Sequence, residues 1–290
     1  SLVVIPMLSE MGGRIVICFG RDGKPETHVV ECSKVEALHS IFESRDLTTG
    51  GGGWQQQYLK HSEHGMPDEI LSAAGDALGE AFATPLVQAL ESLGISPGTH
   101  LDILPQGPLG ILPLGLARDS RSGQLLIDRY EFSLSPSLTS LYHARKHAAI
   151  VPESVVTLGN PTGDLRYAKP ESHLLRNWFR DKCVEFEEGA VSPEEILNAL
   201  PQGEVWHFAT HGGFVESVPL KSWLALGDEK FLTLEMIFEA RDLGTPRLVV
   251  LSACESGLYD LTSFPSEFIG LPSGFLHAGA AGVIATLWPV

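Results

Sequence analysis

Two reactive side chains stand at equivalent places in this sequence. His211 follows the apolar run Val205-Trp206-His207-Phe208-Ala209 and precedes Gly212-Gly213, and Cys254 follows Leu248-Val249-Val250-Leu251 and precedes Glu255-Ser256-Gly257. An imidazole beside a thiol is the minimum needed for nucleophilic attack on an acyl group. A free thiol, with an ordinary pKa of about 8.5, is mostly protonated near neutrality. It needs a neighbour that favours the thiolate, takes its proton or protonates a leaving amine, and His211 is the candidate. Gly212 and Gly213 would let a substrate backbone approach closely. Backbone N–H groups at Gly212 and Cys254 are candidates for holding a developing oxyanion, where losing one donor typically costs ~3 kcal/mol.

The plainer alternatives differ in weight from residue to residue. A lone cysteine ending a strand is most often a small buried hydrophobe. Here the flank Ser252-Ala253-Cys254-Glu255-Ser256-Gly257 turns small and polar where a core strand stays apolar, and a His-Gly-Gly ends another strand; together they favour the reactive reading. His207 lies four residues before His211, but Phe208 rather than Glu follows it and the run reads as strand, so the zinc-protease pattern does not apply. A buried, hydrogen-bonded histidine is expected there. Trp206 and Trp288 read as core. His61 and His64 have no partner spacing, and the four glycines 50–53 lack the Lys-Ser/Thr ending of a phosphate-binding loop. No metal or cofactor is assigned.

The elements that must position the pair follow from periodicity. Residues 205–209 and 248–253 have the length and β-branched content of buried strands. As parallel neighbours they would bring their carboxyl ends side by side, where open α/β sheets bind ligands. Around them, strands over 155–158 and 283–287 alternate with helices over 172–179, 193–200, 234–240 and 267–277, which implies a parallel sheet with helices on both faces. The first half reads as an antiparallel meander (2–6, 14–19 and 27–32) with a turn at Arg21-Asp22-Gly23-Lys24-Pro25, then a helix over 35–42. Helical spacing runs over 67–93, with Pro85 expected to break it. Strands over 101–104 and 130–134, a tight loop at 105–109 and a helix from Pro136-Ser137 to about 149 complete it. The expected division is 1–150 and 151–290.

The bulk properties exclude some functions. The net charge is −16, with no basic stripe, so phosphate backbones would be repelled and a basic peptide attracted. No apolar stretch is long enough to span a bilayer and no secretory signal is visible. The four scattered cysteines form no CxxC pair, which suits a reducing cytoplasm. The chain starts without Met and stops at Val290 just after an apolar strand, as a piece of a longer protein would.

His-Phe-Ala-Thr-His-Gly at 207–212, Leu-Ser-Ala-Cys-Glu-Ser-Gly at 251–257 and the stretch from Phe275 to Val290 resemble the CHAT family, caspase-like domains of the clan that includes separase, metacaspases and gingipains. Leu-Pro-Gln-Gly-Pro-Leu at 104–109, Ser-Pro-Ser at 135–137 and Gly-Asn-Pro at 159–161 match the same pattern. The resemblance implies an α/β caspase-like fold, a mostly parallel sheet flanked by helices, with an N-terminal pseudo-protease half and an active second half. It implies His211 as general acid/base, Cys254 as nucleophile, and Gly212 and Cys254 as oxyanion donors. It implies a cysteine endopeptidase acting on a protein or peptide, commonly beside tetratricopeptide repeats and, in bacteria, often in signalling or defence systems where a partner switches it on. A family domain usually continues past Leu-Trp-Pro-Val. A latent scaffold that only grips a partner, and acyl transfer by the same acyl-enzyme, are the alternatives.

Asp260 and Glu267 are candidates for the first substrate pocket, where a buried carboxylate would favour Arg or Lys before the scissile bond. Equally, Asp260 reads as a solvated loop residue and Glu267 as a helix-start charge after Ser266.

Overall fold

The computed structural model describes residues 2–9, 12–42, 54, 65–149, 151–187, 189–259 and 268–288. The chain divides into two compact units, Ser1–Leu138 and Thr139–Val290.

In the first unit β1 (Leu2–Ser9), β2 (Gly12–Arg21) and β3 (Lys24–Cys32) form the expected antiparallel meander. Arg21 pairs with Lys24, leaving Asp22 and Gly23 as a two-residue turn. Both have left-handed φ, 52° and 76°, which is the type I′ geometry that matches strand twist. After α1 (Glu36–Phe42) comes one long helical segment: α2 (Asp68–Leu78), a π turn over Gly79–Ala83, and α3 (Thr84–Ser92). The expected break at Pro85 is thus corrected. A wider turn just ahead of Pro85 relieves the clash between its ring and the carbonyl four residues back, so the helix bulges instead of ending. Then follow β4 (His100–Ile103), a 3-10 turn over Gly107–Ile111 where only a loop was expected, α4 (Leu126–Arg129) and β5 (Glu131–Leu134). β4 and β5 add in parallel to β1, giving the order β3-β2-β1-β4-β5.

The second unit opens with α5 (Leu138–His147) and β6 (Val155–Gly159), then α6 (Ala168–Phe179), β7 (Cys183–Phe186), α7 (Pro193–Ala199) and β8 (Val205–Ala209). Ser192 caps α7 with a reciprocal pair: its Oγ accepts from Glu195 N at 3.2 Å, and its own N–H donates to Glu195 Oε2 at 2.8 Å. Three short strands, β9 (Gly212–Gly213), β10 (Trp223–Ala225) and β11 (Phe231–Thr233), form a small sheet of their own. The unit ends with α8 (Leu234–Glu239), β12 (Leu248–Ser252), α9 (Leu271–His277) and β13 (Val283–Ile284). α9 starts later than the sequence implied: residues 268–270 are not helical, and Pro272 sits in the first turn, the place where a missing N–H costs nothing.

The main sheet of this unit has the order β13-β12-β8-β6-β7, every neighbour parallel. β6 and β8 are buried at all positions, as central strands covered on both faces must be. Trp206 is core, as expected: its ring meets Phe275 edge-on at 6.1 Å, and Nε1 donates to the carbonyls of Leu200 (2.8 Å) and Gly203 (2.9 Å). From β6 the chain places β7 on one side and β8, β12 and β13 on the other. The order therefore reverses between β6 and β8, and ligands of open parallel sheets bind beyond the carboxyl ends of strands at such a reversal.

Candidate active site

β8 and β12 are the parallel neighbours expected, in register from Val205 with Leu248 to Ala209 with Ser252. His211 and Cys254 each follow the last paired residue by two positions, so both emerge at the same rim of the sheet. The end of β8 is held from three sides. Asn160, after β6, donates its N–H to the Ala209 carbonyl at 2.9 Å; Thr210 donates N–H to Ser252 at 3.3 Å and Oγ1 to Ala225 at 2.8 Å; and Ala225 N donates to the His211 carbonyl at 2.8 Å. Thr210 is buried, while the His211 side chain is 38% exposed. Gly212 lies directly on the cysteine turn: a Cβ there would come 2.9 Å from the Cys254 carbonyl oxygen and 3.1 Å from Ala253 Cβ. Only glycine fits, so packing alone accounts for this residue.

Cys254 sits on a sharp turn between buried Ala253 and Glu255, whose φ of 57° is left-handed. The turn is fastened to the segment after β13. Thr286 Oγ1 donates to the Ala253 carbonyl at 2.7 Å, Thr286 N donates to Ser256 Oγ at 3.2 Å, and Gly257 N donates to the Thr286 carbonyl at 2.7 Å. Ser256, itself buried, also donates to the Ala253 carbonyl at 2.8 Å. Cys254 is half-buried, unlike a core cysteine. Cys32 of the first unit makes the contrast: burial, then the charge of Glu31, push its thiol up to about 11.

A third residue, which sequence reasoning missed, meets the histidine. Asp164, in the loop after β6, places both carboxylate oxygens 3.0 Å from His211 Nε2. Thr162 Oγ1 donates to Asp164 Oδ1 at 2.5 Å. That hydroxyl first, and His211 second, hold the Asp164 carboxyl below the usual range. The one available signal was turn chemistry, Asn160-Pro161-Thr162-Gly163-Asp164, at the end of an apolar strand.

His207 behaves as the sequence implied. It is buried, with Nδ1 2.9 Å from Thr157 Oγ1, which lies 2.8 Å from Ser172 Oγ. Burial lowers its pKa, opposed by Glu171, whose Oε2 lies 3.3 Å from Nε2. Asp260 and Glu267, the pocket candidates, lie outside the described residues, as do His61 and His64.

The sequence profile of the CHAT domain matches residues 72–290. This chain belongs to the CHAT domain family. The parallel sheet flanked by helices is the caspase-like architecture of that family. Tetratricopeptide repeat protein 28 of Homo sapiens is 25% identical over 278 residues, covering 72% of this chain and 11% of that protein. Its Mus musculus counterpart is 24% identical over 278 residues, with the same coverage. The CHAT chain therefore spans about a tenth of the length of these relatives, both of them mammalian. Among the described residues no helix is long and apolar enough to cross a membrane. Among them also, His173, Glu185 and Glu187 of the CHAT domain bring ligand atoms within 4.8 Å of one another. Arg176 Nη1 already sits 3.1 Å from Glu185 and 3.2 Å from Glu187, so a guanidinium balances the carboxylates where a cation would.

Proposed function

We propose that this CHAT domain is a cysteine endopeptidase in which Cys254 attacks the scissile carbonyl and His211 manages the proton. The observation that carries the reading is the register of β8 and β12, which sends both residues out of the same sheet rim with Gly212 against the Cys254 carbonyl. Sγ forms a bond to the carbonyl carbon, and the oxygen takes the negative charge, facing backbone N–H groups assigned to Gly212 and Cys254. Collapse breaks the C–N bond, and the imidazolium protonates the departing amine. Water then attacks the thioester carbonyl, giving a proton to His211, and the C–S bond breaks to return the thiol.

The substrate is a protein or peptide. Asp260 and Glu267 are assigned to the first pocket, with a preference for Arg or Lys before the cut; the net charge of −16 would favour basic segments. In the whole protein a tetratricopeptide region or a partner controls access, a reading supported by the repeat-containing relatives. A cytoplasmic location fits the free cysteines.

The test offers a mixed peptide library to the protein and to its Cys254→Ala and His211→Ala forms, and sequences the products. Cuts that vanish in both variants are expected, together with covalent labelling of Cys254 by a peptidyl chloromethyl ketone that drops at least a hundredfold in His211→Ala. No cuts, with labelling indifferent to His211, would leave a scaffold that binds without cleaving.

A further inference from the structure

We propose that Asp164 is the positioning residue of His211: its carboxylate holds the imidazole as the Nε2–H tautomer and leaves Nδ1 as the nitrogen that exchanges a proton with the Cys254 thiol. The inference rests on the peptidase reading for its purpose, but not for its geometry.

Asp164 comes from the loop after β6 and His211 from the end of β8, so the pair bridges the two strands between which the sheet order reverses. With Cys254 after β12, three successive strands each deliver one residue to one rim. Nε2 faces both carboxylate oxygens at 3.0 Å. A carboxylate accepts and does not donate, so the proton must sit on Nε2 and the lone pair of the neutral ring on Nδ1. The same carboxylate stabilises the imidazolium formed when the thiol gives up its proton.

Stability does not explain this pair. The Asp164 side chain is 63% exposed and that of His211 38%, and ion pairs this open are worth little to folding. Yet the loop is built to hold the carboxylate still. Asn160 is buried with a left-handed φ of 56°, and its Oδ1 accepts from Leu165 N at 2.8 Å. Its carbonyl accepts from Gly163 N at 3.1 Å, and its own N–H is bonded to Ala209, two residues before His211. Thr162 donates to the carboxylate from within the same loop. The rigid tie from loop to strand fixes Asp164 relative to the ring, which is what orientation requires.

Two measurements on the intact chain test this. One is the rate of iodoacetamide alkylation at Cys254, followed by mass spectrometry at pH 7. The other is the ¹⁵N signature of the His211 imidazole, which reports the tautomer. Asp164→Ala is expected to slow alkylation about tenfold or more, the scale on which orienting carboxylates act, and to replace the single Nε2–H tautomer by a mixture. Asp164→Asn, whose amide oxygen still accepts from Nε2–H, should keep the tautomer and lose rate; Asp164→Glu should recover part of it. The exposed position leaves the thermal midpoint in place. If Asp164→Ala keeps both the rate and the tautomer while His211→Ala slows alkylation, the inference is wrong and the dyad stands. If alkylation ignores His211 altogether, the peptidase reading falls. The tautomer then decides Asp164 by itself, upheld if it changes in Asp164→Ala and refuted if it does not.

Discussion

Both units are built on sheets of five strands, and each has a histidine near a carboxylate and a hydroxyl or thiol, set differently relative to the strand ends. The first unit is half antiparallel, and one of its polar clusters, His100, Asp102 and Ser133, lies within β4 and β5. Ser133 Oγ donates to Asp102 Oδ1 at 3.0 Å, and His100 Nε2 lies 3.2 Å from the same Oγ. The types are those of a hydrolase triad, but the hydroxyl directs its proton to the carboxylate instead of the histidine. In the main sheet of the second unit all five strands are parallel, and Asp164, His211 and Cys254 lie beyond their ends, each near a glycine. Similar side chains thus meet different surroundings within a strand and beyond its end.

Four substitutions or conditions would break or sharpen that contrast. Gly79→Ala in the first unit should have the largest effect, because the new Cβ would overlap the Arg118 carbonyl oxygen. A loss of about 3 kcal/mol is expected in chemical denaturation, while Cys254 labelling of the folded molecules is unchanged. Gly212→Ala in the second unit meets the Cys254 carbonyl at 2.9 Å and should do the reverse. Its labelling by the chloromethyl ketone should fall about a hundredfold, with a smaller shift of the thermal midpoint; equal losses of both would erase the contrast. Next, Thr157→Val removes the hydroxyl between His207 and Ser172 and should cost about 1–3 kcal/mol.

The smallest effect is one of pH. Burial lowers the His207 pKa in the folded chain from the ordinary 6.5, so the denatured chain takes up a proton that the native one refuses. Stability from this group is present above pH 6.5 and is lost as pH falls through the lowered native value. Urea midpoints should therefore drop between pH 7 and pH 5, and the drop should shrink in His207→Gln.

The strands carrying the candidate dyad were legible because each is a mainly apolar run, interrupted in β8 by His207 alone, and ended by small residues. The turn within 21–25 was legible for an equally local reason, its Asp-Gly pair, while the tight two-residue closure at Asp22 and Gly23 came only with the strand pairing. β7 was not, since Cys183-Val184-Glu185-Phe186 is an edge strand of four residues, too short for its alternation to stand out. β9 to β11 are too short to carry a period, and their pairing is set by tertiary contacts. Asp164 escaped for the deepest reason: it lies 47 positions from its imidazole, and only the sheet order makes them neighbours. Pro85 misled because a bulge can absorb a ring that local rules say must stop a helix.

Thr286 stands thirty positions past Ser256 and looks like an ordinary hydroxyl near a strand end, yet it grips the turn below the sulfur through side chain, amide and carbonyl alike. A fragment cut back to residue 285 would retain the histidine block and the cysteine block intact on paper. It would lack the peg on which the thiol is hung, so sequence motifs alone are a poor guide to where this domain can be trimmed.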